Sequence, residues 1–179
     1  MGIHSEILDK LQTSLQAAMI DDLEADDPTL AGVVIVGPLQ GDPDPLTARV
    51  SVTIHENDPD HFYGLGDTTG IDTPWHDEIY DEEIGGVKTY QRRFTVKARC
   101  LLESTGENLT ETRAIASSVR SRLEDTLGDI SFSGVSHNGE RVTRGVSGIH
   151  SEMVQAGGPP VSYDFHVKVR FDILTTTGV

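Results

Sequence analysis

The sequence predicts an α+β domain: a mostly antiparallel sheet with long strands, packed against two amphipathic helices. Three stretches predict it. From Tyr90 the chain alternates, with Tyr90, Phe94, Val96, Ala98, Cys100 and Leu102 on one side and Gln91, Arg93, Thr95, Lys97, Arg99 and Glu103 on the other. That period of two makes one buried and one wet face of a strand, and Arg92 is the exception on the apolar side. Thr112, Ile115, Ala116, Val119, Leu123 and Leu127 then recur at three- and four-residue steps, the stripe of a one-faced helix. Near the end, Tyr163, Phe165, Val167, Val169, Phe171 and Ile173 alternate against Asp164, His166, Lys168, Arg170 and Asp172, a second long strand.

The remaining elements follow in order. Ile3, Ile7, Leu8, Leu11, Leu15, Ala18 and Met19 predict a helix over residues 3–20, which the acidic run from Asp21 to Asp27 and Pro28 ends. Those aspartates lack the alternation and glycine of a calcium loop, so they read as a solvated loop. Val33 to Val36, bounded by Gly32 and Gly37-Pro38, reads as a short strand covered on both faces. After a turn at Gly41 to Pro45, Arg49 to Ile54 alternates with Val50, Val52 and Ile54 inward. These two runs are expected to form a hairpin with a long connection. Residues 57–86 carry no periodicity and predict an acidic, irregular excursion whose aromatics Phe62, Tyr63, Trp75 and Tyr80 suit an arm that packs on something. Asn108 with Glu111 has capping-box spacing at the start of the second helix, and Gly128 is placed to close it. Ile130, Phe132 and Val135 predict another strand, and Asn138-Gly139 a type I′ hairpin returning through Arg141 to Val146. Gly145, Gly148, Gly157 and Gly158-Pro159-Pro160 are expected to leave the next part irregular. Without a repeat or a boundary, residues 1–179 read as one domain.

A net charge of −15 over 179 residues disfavours adhesion to nucleic acid or to an anionic membrane. Cys100 is the only cysteine and lies on the apolar side of its strand, so a core thiol is expected, with no intrachain disulfide. No signal peptide is expected, and no apolar run nears the roughly 18 residues of a membrane span. The expectation is a soluble product of a reducing cytoplasm.

Catalytic machinery is not legible. No Gly-x-Ser-x-Gly elbow occurs, and no glycine loop stands between a strand and a helix to cradle phosphate. His55-Glu56-Asn57-Asp58-Pro59-Asp60-His61, with His76 nearby, has N and O donors for a metal, but no second ligand cluster stands out on another element. The expected cofactor set is none. Arg92, Arg93, Lys97 and Arg99 crowd one strand, while Trp75, Tyr80, Asp81, Glu82 and Glu83 belong to the acidic excursion. Together they are the candidate subunit or partner interface, since a basic strand beside an acidic loop allows head-to-tail association.

The Ile3-to-Met19 helix, the Tyr90-to-Leu102 strand running into the Asn108-to-Leu127 helix and the closing Tyr163-to-Ile173 strand together resemble the tail terminator (tail completion) proteins of long-tailed viruses of bacteria and archaea. The likeness covers most of the chain and rests on architecture, because that family has no signature motif. It implies a structural, non-enzymatic subunit of a virion neck or tail, assembled in the host cytoplasm. Such subunits close into a ring, usually of six, at the head-proximal end of the tail tube, where the ring ends tube polymerisation and meets the head connector. DNA would pass through the lumen without specific binding. A head-closure or connector protein is the alternative within this class. A small metal-dependent hydrolase using His55, Asp58, Asp60, His61 and His76, and an acidic adaptor gripping a partner through the Trp75 arm, are alternatives from other classes.

Overall fold

β-branched and aromatic side chains at every second position favour extended backbone, and they draw two unusually long strands together, with a third, less regular one beside them in the same sheet. The computed structural model describes residues 2–22, 32–37, 50–56, 78–84, 87–103, 109–157 and 162–177. Its strands are β1 (Gly32–Val36), β2 (Val50–Glu56), β3 (Glu78–Ile84), β4 (Val87–Glu103), β5 (Ser136–His137), β6 (Glu140–Gly157) and β7 (Ser162–Thr177). Helix α1 (Ile3–Gln16) continues into a π-helical turn over Ala17–Asp22, and α2 spans Leu109–Asp129. The strands lie in the order β1-β2-β4-β7-β6-β5, with β3 also on β4.

The class is α+β, but the sheet is mixed. β1 runs parallel to β2, while all other pairs are antiparallel. The hairpin expected from residues 33–54 is therefore corrected. Two short apolar runs read alike in either polarity, and the stretch 37–49 has the dozen or so residues that a parallel crossover needs.

β4 and β7 pair without a break from Lys88 opposite Thr177 to Glu103 opposite Ser162. This register, extended to β2, aligns Val50–Cys100–Phe165, Val52–Ala98–Val167 and Ile54–Val96–Val169 in rows, all buried. Phe94 and Phe171 stack beside them with ring centroids 5.8 Å apart. Onto this face α1 lays Ile3, Ile7, Leu11 and Leu15, and α2 lays Ala116, Val119, Leu123 and Leu127. Each buried leucine or isoleucine contributes about 1.5–3 kcal/mol relative to leaving it in water. α1 packs over β1 and β2, and α2 over β7, β6 and β4. The helices thus cover one face of the sheet. Cys100 is a buried thiol of that core, as expected.

Four further expectations change. Glu78–Ile84 is strand β3, so the irregular excursion does not extend to residue 86. Its acids hide the alternation, and charge is well tolerated on an edge strand, where one row of backbone groups is unpaired. β2 and β3 lie end to end along β4, since Glu56 is opposite Phe94 and Glu78 opposite Gln91. Residues 57–77 fall outside the described ones, as does Asn108, the expected N-cap. The α2 helix does not stop at Gly128 but runs on to Asp129, and Ile130 still packs against the core.

Ile130 to Val135 is a turn, not a strand, with the Val135 N–H donating to the Phe132 carbonyl at 3.1 Å. Asn138 and Gly139, at φ 49° and 82°, make the left-handed pair that a type I′ turn requires. Beyond it the glycines do not break the chain: β6 continues for 18 residues. Register shifts between Val142 and His150 absorb them, and Gly148 takes φ +62° there, where a side chain would be strained. Phe132 packs over Gly145, where a Cβ would come within 3.4 Å of the ring.

Polar contacts pin α2 to β6. Arg120 Nε donates to Ser151 Oγ at 2.8 Å and Nη2 donates to the Ser151 carbonyl at 3.1 Å. Glu124 accepts from Arg120 Nε at 3.2 Å and from the Ser151 hydroxyl. The Ser151 bond, and then Arg120, hold the Glu124 carboxyl below the usual carboxylate range against the opposing effect of burial.

Two outcomes follow from this packing. Leu123→Ala should lower unfolding free energy by about 2–5 kcal/mol, read from the denaturant midpoint. Folding lowers the Glu124 pKa, so its contribution is complete above the unfolded pKa and is lost as pH falls through the folded one. Between about pH 6 and pH 3, Glu124→Gln should therefore lose less stability than the parent chain.

Candidate interaction surface

With the even positions of β4 turned to the helices, its odd positions are sent to the other face. The register gathers their neighbours there: Arg93 opposite Asp172, Thr95 opposite Arg170, Lys97 opposite Lys168, and Arg99 opposite His166. β6 adds Arg144 opposite Leu174, His150 opposite Arg170, and Glu152 opposite Lys168. With Arg141 opposite Thr176, seven of the 14 lysines and arginines of a chain with net charge −15 thus share one sheet face. Glu152 and Asp172 are acids in register with them, and Glu78, Glu103 and Asp164 hold positions of the same phase. Lys97 and Lys168 stand directly across from each other, an arrangement that destabilises a strand pair.

Some of these charges have local partners. Arg93 Nε is 3.6 Å from Asp172 Oδ1, and Gln91 Nε2 donates to Asp172 Oδ2 at 2.6 Å. Arg170 Nη2 lies 3.8 Å from Glu152 Oε1. Lys97, Arg99, His166 and Lys168 also hold interactions within the chain. What distinguishes the face is its surplus of positive charge. The side chains of Arg93 and Arg170 are 49% and 40% exposed, so that charge reaches the surface.

Arg92 has a different setting. It lies on the helix-facing side, 7% exposed, where the apolar rows end. Nη1 is 3.3 Å from Glu56 Oε1 on β2, Nη2 is 2.9 Å from Glu140 Oε1 on β6, and Nε donates to Thr175 Oγ1 on β7 at 3.3 Å. The Thr175 hydroxyl also donates to Glu140. Arg92, the charged residue between Tyr90 and Phe94 on this side of β4, is the hub joining four strands.

Of the other candidate residues, Arg93, Lys97 and Arg99 share the cationic face. Tyr80 is opposite Thr89 on β3, and Asp81, Glu82 and Glu83 occupy the register shift between Tyr80 and Ile84. Trp75 lies outside the described residues, with Asp58, Asp60, His61 and His76. His55 is half-buried at the end of β2, its Nε2 3.2 Å from Thr53 Oγ1. Among the described residues no group of three His, Cys, Asp or Glu side chains could hold a metal ion. Among them, too, no helix is long and apolar enough to cross a membrane.

Sequence reading missed Lys168, Arg170 and His150 as parts of this surface. The alternation of β7 carried the signal, because its charged phase matches that of β4 once the strands are paired. Compared with known proteins, the chain matches no family model and no curated protein.

Removing the guanidinium by Arg92→Met should cost about 3–5 kcal/mol, because it leaves two partly buried carboxylates without their cation. Arg93→Ala, at the exposed neighbouring position, should change stability by no more than about 0.5 kcal/mol. Urea denaturation of both variants measures the contrast.

Proposed function

We propose that the chain is a structural virion protein, one subunit of a ring at the head-proximal end of a tail tube, which ends tube polymerisation and joins the tail to the head connector. The observation that carries this reading is the segregation of charge: a cationic sheet face on a strongly acidic chain. A head-to-tail ring needs two different, complementary surfaces on each subunit. The face built by Arg93, Lys97, Arg99, Lys168 and Arg170 complements the acidic remainder of another copy, or an acidic surface on the tube or connector. Helices on one side and long strands on the other also agree with the resemblance to tail terminator proteins. Excess negative charge over the whole chain would let DNA pass without adhering. The role is one of assembly and not of catalysis.

Light scattering on the purified chain across a salt series, alone and with tail tubes, tests the reading. A discrete species near six times the 19.4 kDa chain mass, formed alone or on tubes, supports it. A strict monomer that neither oligomerises nor binds tubes overturns it. Lys97→Glu combined with Lys168→Glu should weaken assembly or tube binding by about tenfold or more, as expected when charge pairs at an interface become repulsive. Circular dichroism checks that the double variant remains folded.

A further inference from the structure

We infer that copies of this chain join edge to edge, the outer edge of β6 in one copy pairing antiparallel with the outer edge of β1 in the next. The inference rests on the ring reading and names the seam within it.

Five transverse rows run across the whole sheet. The first is Gly32–Val50–Cys100–Phe165–Gln155 and the last is Val36–Ile54–Val96–Val169–Ser151. Between them, Val33 shares a row with Val154, Val34 with Met153, and Ile35 with Glu152. The two outer strands therefore occupy the same stretch of the sheet at its opposite ends, residue for residue. Their polarity also fits. β1 is parallel to β2, and three antiparallel steps from β2 through β4 and β7 reverse the direction at β6. Set side by side from two copies, β6 and β1 make an antiparallel pair.

Among the described residues, neither edge has a strand partner along these rows, because β5 pairs only with Glu140 and Arg141. Gln12 Nε2 approaches the Val34 carbonyl at 3.5 Å, the limit of a hydrogen bond, and a carbonyl has a second lone pair to offer. Natural sheets blunt free edges with bulges and charge. Here the register shifts of β6 occupy Val142 to His150, and the strand is regular from His150 to Gln155, where the rows lie. The large apolar side chains exposed among the described residues are Val36, Ile149 and Val154, at 37%, 39% and 56%, and all three belong to these two strands. A contact between two unlike edges is heterologous, and in a closed ring it covers both of these edges at the level of the rows.

The test compares the full chain with Val154→Lys and with Val154→Thr, which keeps the β-branched shape, by light scattering. A second arm oxidises the double variant Ile35→Cys/Glu152→Cys, whose two positions face each other across the inferred seam within disulfide reach. Buried Cys100 does not interfere. Expected are a concentration for half-assembly raised at least about tenfold by Val154→Lys but not by Val154→Thr, and a ladder of covalent multimers from the cysteine pair that neither single variant forms. Assembly of Val154→Lys at the parent's concentration, with no ladder from the pair, overturns the seam and leaves the ring reading standing. A parent chain that stays monomeric at every concentration and on tubes overturns both.

Discussion

The unbroken pairing of β4 with β7 is the constraint on which the rest depends. Side chains alternate with a period of two, so a slip of one residue would exchange the two faces of a strand. Lys97 or Lys168 would then sit beneath the helices, and Val96 and Val169 would meet water. Burying an unpaired ammonium costs far more than a single apolar contact returns. The register that fills the core therefore also builds the cationic face, and the two cannot be altered separately. The Lys97–Lys168 juxtaposition is tolerable on these terms: its repulsion is partly screened by water, whereas the alternative register would desolvate the charges.

Arg92 marks where the hydrophobic logic stops. Up to Phe94 the helix-facing side of β4 is apolar, and at Arg92 it becomes ionic, with Glu56, Glu140 and Thr175 converging from three other strands. Replacing such a cluster with well-packed apolar groups is often neutral or stabilising, so its presence argues for specificity more than for strength. The partners sit on β2, β6 and β7, and each would lose its bond if its strand slipped. The cluster thus fixes the alignment of four strands at the level where β2 ends and β3 takes its place along β4.

Much of the fold was legible because its signals are local. The alternation of β4 and β7, the stripes of α1 and α2 and the Asn138-Gly139 turn are each written in neighbouring residues. What failed depended on pairing. Val33 to Val36 and Val50 to Ile54 look the same as a hairpin or as parallel neighbours, because polarity is set by the crossover and not by either strand. Gly145 and Gly148 looked like breaks because a bulge is defined against a partner strand. The candidate surface was half legible for the same reason. Arg93, Lys97 and Arg99 could be grouped from one strand, but Lys168, Arg170 and His150 join them only through register. Arg92 was grouped with them by sequence proximity, although its one-residue offset puts it on the opposite face.

The dimensions of the layers explain why such a sheet carries surfaces to spare. Helices of 14 and 21 residues are about 21 Å and 31 Å long at 1.5 Å per residue. Strands of 16 to 18 residues reach about 50 Å or more at 3.3 Å per residue. Two helices lying along one face cannot cover the full length of these strands. The surplus has to be satisfied in another way, and the chain uses several. Beyond the apolar rows the helix-facing side becomes the Arg92 cluster, and the second face is polar over most of the β4–β7 pairing. At the level of the rows, where the helices do cover the sheet, the outer strands instead present regular backbone with exposed valines. A chain selected only for folding alone gains nothing from leaving its most regular edge the least protected. An edge in that condition, matched in height and polarity by the opposite edge of the same sheet, has its natural complement in another copy of itself.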